Sequence, residues 1–326
     1  MNRLGLFIIK RIGTTLILLV VISMFIFGII QLMPGDAVDM MLGGIALDSL
    51  GEETIETLRR QLGLDLPVYQ QYFNWITGVL RGDMGTSLIM KAPVGPIILS
   101  RLKASLLLAV PASLIMVFFG LTLGVWSAVK ENTFIDHFIS FSTLSMISIP
   151  AFLVGSIFIY IFSVKLNWIP AAFNALPYEE YSFLRKISFF FTVLIFPSLT
   201  LSFESVAYVV RQTRASMIEE LKTNYVRTAV LKGVRPQKVI ISHALRNALL
   251  PAITVIAFNI GYILAGVVIV EAVFSYPGIG NLMIIGINNR DIPLILGTMI
   301  IISGAYVLAN FVADILYSVV NPRIRY

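Results

Sequence analysis

Hydrophobic residues in this chain run in long blocks instead of alternating with polar ones. Six stretches are nearly free of charge: 12–33, 104–129, 138–164, 188–210, 247–270 and 292–319. The shortest, 12–33, extends roughly 33 Å as a helix, enough for a hydrocarbon core of about 30 Å. Only helices and closed barrels satisfy their own backbone hydrogen bonds in lipid, so the pattern predicts six transmembrane helices. Pro111, Pro150, Pro197 and Pro251 predict kinks or boundaries. The first stretch runs into Leu32-Met33-Pro34-Gly35 with no small-residue cleavage site, and is expected to stay as a membrane helix.

This divides the chain into a first membrane helix at 1–33, an outward-facing helical region at 34–103 and a five-helix core at 104–326. In the outward region, Ser49-Leu50-Gly51-Glu52 fits a capping box, followed by Ile55, Leu58 and Leu62 on one helical face. A second amphipathic pattern, Tyr69, Tyr72, Phe73, Ile76 and Leu80, starts after Leu66-Pro67. Two readings remain: helices lying on the outer membrane surface, or a lid or docking surface for an external partner.

Composition removes other classes. The chain is 57% hydrophobic and 13% charged, with a mean hydropathy of +0.88. Soluble domains carry about 25% charged residues, so the composition argues against a soluble enzyme or a nucleic-acid binder. There is no cysteine, which rules out thiolate nucleophiles and Cys-metal sites, and His137 and His243 are too far apart for a paired-histidine motif. Neither a catalytic site nor a metal site is expected.

Charge placement gives orientation. One side, holding 1–11, 130–137, 211–246 and 320–326, carries 14 basic residues against Glu131, Asp136, Glu219 and Glu220. The other carries ten basic residues against twelve acids. The dense basic block at 211–246 assigns the first side, and with it both termini, to the cytoplasm.

That block is also the most informative segment. Met217, Leu221, Tyr225, Ala229 and Leu231 predict a helix over 214–232 that Gly233 terminates. Pro236 suits the first turn of a second helix carrying Val239, Ile240, His243 and Leu249. The result is a helical hairpin at about 211–250. By pattern alone it docks in a partner's groove or lies at the headgroups as an amphipathic loop. His243 reads as orienting the hairpin or capping a carbonyl, and His137 beside Asp136 reads as a solvated span end.

Asn224-Tyr225-Val226-Arg227-Thr228-Ala229-Val230-Leu231-Lys232-Gly233, then His243-Ala244-Leu245-Arg246-Asn247-Ala248-Leu249-Leu250-Pro251, resembles the coupling segment of ABC importer permeases. More narrowly, the chain resembles the first-subunit type of the oligopeptide/dipeptide/nickel permease family. Leu32-Met33-Pro34-Gly35-Asp36, Arg81-Gly82-Asp83-Met84-Gly85-Thr86-Ser87, Glu271-Ala272-Val273-Phe274-Ser275-Tyr276-Pro277-Gly278 and the terminal Asn321-Pro322-Arg323 agree in order and spacing. Arg227-Thr228-Ala229 replaces the broader pattern's Glu-Ala-Ala, and His243-Ala244-Leu245-Arg246 replaces its Ile-x-Leu-Pro, both as the peptide branch has it.

The resemblance implies an all-α integral membrane protein with the type I ABC importer permease fold. It implies a bacterial or archaeal cytoplasmic (inner) membrane location and a path shared with a second homologous permease. Two ATP-binding subunits and an extracytoplasmic substrate-binding protein would complete the complex. Asn224, Tyr225, Arg227, Thr228, Ala229 and Gly233 would carry ATPase coupling. The chain lacks GxxxxGK[ST], so ATP and Mg belong to the partner ATPases and no cofactor is expected here. Di- and oligopeptides are the leading cargo, with nickel complexes, glutathione-like molecules, opines and oligosaccharides as alternatives.

Charges inside the spans need protein or water around them, since a charge at the bilayer centre costs about 2.5–3.5 kcal/mol. Glu204 either lines the pathway or makes a structural hydrogen bond or a pair with the second permease. Asp314 and Glu271 read as structural. Among rivals, a proton-coupled secondary transporter using Glu204 and Asp314 lacks an inverted repeat. An intramembrane aspartyl protease needs its two carboxylates at one depth. A purely structural membrane subunit is the remaining rival.

Overall fold

The charge-free stretches become helices, and their ends move to where capping and proline chemistry put them. The computed structural model describes residues 3–32, 56–57, 59–60, 63, 65–170 and 188–320. Helix α1 is Arg3–Gln31, α2 Val68–Leu80, α3 Val94–Val129, α4 Phe134–Ser148 and α5 Ala151–Phe158. Then come α6 Ile195–Leu221, α7 Asn224–Leu231, α8 Arg246–Val273, α9 Ile279–Asn288 and α10 Ile292–Val320. Wide π-type turns extend α5 through Ile159–Lys165, precede α6 at Phe190–Leu194 and lead into α8 at Val239–Leu245. Five of these helical segments are long and apolar enough to cross a membrane.

The expected third span, 138–164, is instead two helices bent by 100°. Pro150 has no N–H to donate and pushes the residue before it out of helical geometry. Ile149 is accordingly extended, at φ −98° and ψ 118°, and Pro150 opens α5. Pro111 and Pro251, by contrast, sit inside unbroken helices. The ten-residue α9 was not expected; it is apolar but too short to span.

The chain forms two compact units. The first comprises Met1–Ile12, Leu106–Tyr276 and Tyr306–Tyr326 and is organised around α6, the most enclosed of the candidate spans. Lipid tails are as apolar as leucine, so helices associate here by close packing instead of by escape from water. Two glycines of α3 provide that closeness. A Cβ at Gly120 would stand 2.4 Å from Val209 Cγ1, and one at Gly124 would stand 2.6 Å from Thr213 Cβ.

The second unit comprises Gly13–Ser105 and Pro277–Ala305. Its α2 packs on α1 through Phe27, whose ring lies 5.6 Å from both Tyr72 and Trp75, and Ser23 and Tyr72 join by a 2.8 Å hydrogen bond. The expected stripe is therefore corrected: Tyr69, Phe73 and Leu80 are exposed, and Trp75 turns inward beside Tyr72. The buried Asp291 caps α10 by accepting from the Leu294 amide at 3.2 Å. It also accepts from Ser87 Oγ at 2.5 Å and the Ile89 amide at 3.2 Å. The Ser49 capping box and most of the first outer helix lie outside the described residues.

Candidate coupling site

The basic block folds as a hairpin with a break that its sequence pattern hid. Helix α6 stops at Leu221 instead of running on to residue 232, and Thr223 is extended before α7. The Thr223 hydroxyl and backbone amide both donate back to the Glu220 carbonyl, at 2.6 and 3.1 Å, which closes the helix end. The interruption resets the helical phase. Val226 and Ala229 are buried against Met217, Val239, Ala244, Ala248 and Ala128. Leu231, expected on the inner stripe, is 81% exposed instead.

Helix α7 ends in a Schellman motif. The Gly233 amide donates to the Val230 carbonyl at 2.9 Å and the Val234 amide to the Ala229 carbonyl at 3.2 Å. Gly233 has φ +76°, the left-handed conformation this motif demands. Pro236 opens the return leg, where its missing N–H costs nothing.

Tyr225 ties the two legs together. Its hydroxyl donates to the Glu220 carboxylate at 2.5 Å, lies 3.2 Å from the His243 carbonyl oxygen and accepts from Asn247 Nδ2 at 2.8 Å. Burial and the bond to Glu220 raise the phenol above its ordinary value of 10.0. His243 Nδ1 lies 3.2 Å from the Lys238 carbonyl oxygen.

Of the six residues singled out for coupling, Asn224, Arg227, Thr228 and Gly233 lie on the exposed side. Tyr225 shapes the hairpin and Ala229 faces its core. The exposed side also presents Val230, Leu231 and Ile241 among Arg227, Lys232, Arg235 and Lys238. Leu231 was missed because the expected helix phase pointed it inward, and Val230 and Ile241 were singled out by neither helical stripe.

The hairpin's stem is anchored. Arg214 donates from Nε and Nη2 to the two oxygens of Asp136, at 2.6 and 2.8 Å. Ser127 Oγ donates to the same carboxylate at 2.5 Å and the Asn132 amide at 2.9 Å. Asp136 is 1% exposed, a buried and fully paired anchor, while His137 beside it is exposed, as expected of a solvated span end. Four donors, two of them from the bidentate guanidinium, offset the desolvation a buried carboxylate incurs. The exposed Lys222–Glu131 pair at 2.9 Å adds little.

The remaining membrane charges are separate from the hairpin. Asp314 pairs with Arg11, and Glu271 is fully buried at the end of α8. Glu204, on α6, accepts hydrogen bonds from Tyr262 at 2.9 Å and Tyr208 at 3.3 Å.

Comparison with known proteins adds a decisive observation. Residues 120–326 match the family described as the binding-protein-dependent transport system inner membrane component, and residues 4–109 match its N-terminal family. The chain belongs to this permease family. It is 36% identical over 324 residues to a probable peptide ABC transporter permease protein, y4tP, of Sinorhizobium fredii, covering 99% of this chain and 100% of that one. It is 35% identical over 320 residues to the glutathione transport system permease protein GsiC of Escherichia coli strain K12, covering 98% and 99% respectively. The permease is thus a multi-pass membrane subunit of an ABC importer of the peptide or glutathione type, and not an enzyme. Within it, the hairpin joins the two longest helical runs of the first unit after α3.

Proposed function

We propose that this permease lines one half of the translocation path of an ATP-driven importer for di- and oligopeptides or glutathione-like molecules. A second homologous permease supplies the other half. Two ATPase subunits, which hold ATP and Mg, grip the hairpin at 211–250 from the cytoplasm, and an extracytoplasmic binding protein delivers cargo. ATP-driven closure of the ATPases pulls on α7, and the hairpin passes the movement to α6 and α8. A joint that transmits movement has to be stiff.

The observation that carries this reading is the hairpin's construction. Its inner face is packed, its turn is locked by the Schellman motif, its legs are laced by Tyr225 and its stem is fixed by Asp136–Arg214. Its outer face keeps apolar side chains and unspent basic groups available to a partner. The Arg11–Asp314 pair holds the start of α1 beside the end of α10, which supports both termini on one side, the cytoplasmic side by charge.

The test is uptake into proteoliposomes containing the complete importer with its binding protein. Import of a tripeptide or glutathione should require internal ATP and be indifferent to an imposed proton gradient. Uptake driven by the proton gradient with no ATP contradicts the proposal.

A further inference from the structure

Helix α6 is the most enclosed candidate span, yet the edge it leaves uncovered is polar. The half-buried Glu204 and the exposed Tyr208 and Arg211 recur at helical spacing along that edge. Glu204 lies near the middle of the span Phe191–Leu221, where a carboxylate is costly in contact with lipid. Tyr208 and Tyr262 donate to its two different oxygens, and both phenols are themselves exposed, at 40% and 49%. Among the described residues no cation pairs with this carboxylate. A mid-membrane anion, held in place by neutral donors and open on its outer side, is built to receive a cation from outside the chain.

We propose that Glu204, framed by Tyr208 and Tyr262, is a transient seat for the primary ammonium group of the cargo during its passage. This rests on the importer reading above, since peptides and glutathione carry a free α-ammonium. An ammonium donates short, charge-assisted hydrogen bonds to a carboxylate and is further attracted to the faces of aromatic rings. Two phenols already occupy part of the carboxylate's acceptor capacity, so the seat holds its guest loosely. A pathway needs that, because a group that binds too tightly does not leave.

The chain has no cysteine, which permits a clean chemical test on the complete importer in membranes. Ala265, exposed one turn along α8 from Tyr262, is replaced by cysteine. Its rates of modification by cationic and anionic methanethiosulfonate reagents of similar size are then compared. The cationic reagent should react about tenfold faster relative to the anionic one, and Glu204→Gln should abolish that preference. Failure of both reagents to label the site places this face against the second permease or lipid and overturns the proposal, as does a preference that Glu204→Gln leaves intact.

A second arm measures uptake of trialanine and N-acetyl-trialanine by the same proteoliposomes. Glu204→Gln should slow trialanine about tenfold while leaving the acetylated peptide unchanged. Equal slowing of both overturns the seat. If neither peptide enters the wild-type system but the reagent preference holds, the cargo assignment fails and the ammonium seat stands.

Discussion

Gly233 has open space around it: nothing lies within 4 Å of where a Cβ would stand, yet its φ is +76°. The demand is therefore on the backbone alone. A left-handed conformation costs an ordinary L-residue roughly 1–2 kcal/mol and a β-branched one more, whereas asparagine tolerates it. Gly233→Val should insert normally but lose transport and cargo-stimulated ATP hydrolysis, while Gly233→Asn keeps most of both. Normal uptake by the valine variant at normal expression removes the coupling role. Tyr225 acts through its hydroxyl, so Tyr225→Phe should preserve the fold and lower the transport obtained per ATP hydrolysed by several-fold, as loss of a bond worth about 1 kcal/mol allows. A phenol whose folded value is raised above 10.0 contributes its stability below that pH and loses it as pH climbs through the folded value. The transport per ATP should therefore be flat through neutral pH in the wild type. Gly233 and Tyr225 were legible in the sequence because glycine after a helical run and an aromatic on its stripe are local signals. Asp136 was not, because its partner Arg214 lies 78 residues away.

Helix packing in the first unit turns on two glycines that face α6 differently. The three atoms nearest a Cβ at Gly120 all belong to the Val209 side chain, whereas those nearest a Cβ at Gly124 include the Val210 backbone oxygen at 2.9 Å. Gly120→Ala should lower the thermal midpoint in detergent, and Val209→Gly should recover part of that loss while Val209→Ala should not, because the Val209 Cβ itself would stand 2.6 Å from the added methyl. Gly124→Ala should not be rescued even by Thr213→Gly, because the Val210 carbonyl at 2.9 Å cannot be trimmed. Equal rescue of the two would show that side-chain bulk alone sets this spacing. The spacing Gly120-Leu121-Thr122-Leu123-Gly124 is the small-residue signature of close helix approach, but the hydrophobic pattern did not single it out, and its partner helix comes only from the structure. The existence of the apolar helices was likewise readable from block hydrophobicity. Their interruptions were less so. Pro150 breaks its helix where Pro111 and Pro251 do not, a difference that the local sequence pattern does not record.

At the scale of the whole molecule, the family assignment was legible because short motifs recurred in one order along the chain, and matches to both family models bear it out. The helix phase of the hairpin was not, since a break at 222–223 exchanged Leu231 for Val226 on the inner face. That exchange makes Leu231 the best reporter of what the hairpin touches. In a chain without cysteine, Leu231→Cys can be joined by a short bifunctional thiol reagent to single cysteines placed in the groove of the ATPase subunits. In membranes containing the complete importer, this permease should be captured as an adduct with the ATPase, at a yield that changes when ATP is added. Leu231→Cys that reacts only with lipid-phase reagents and never joins an ATPase subunit contradicts the account.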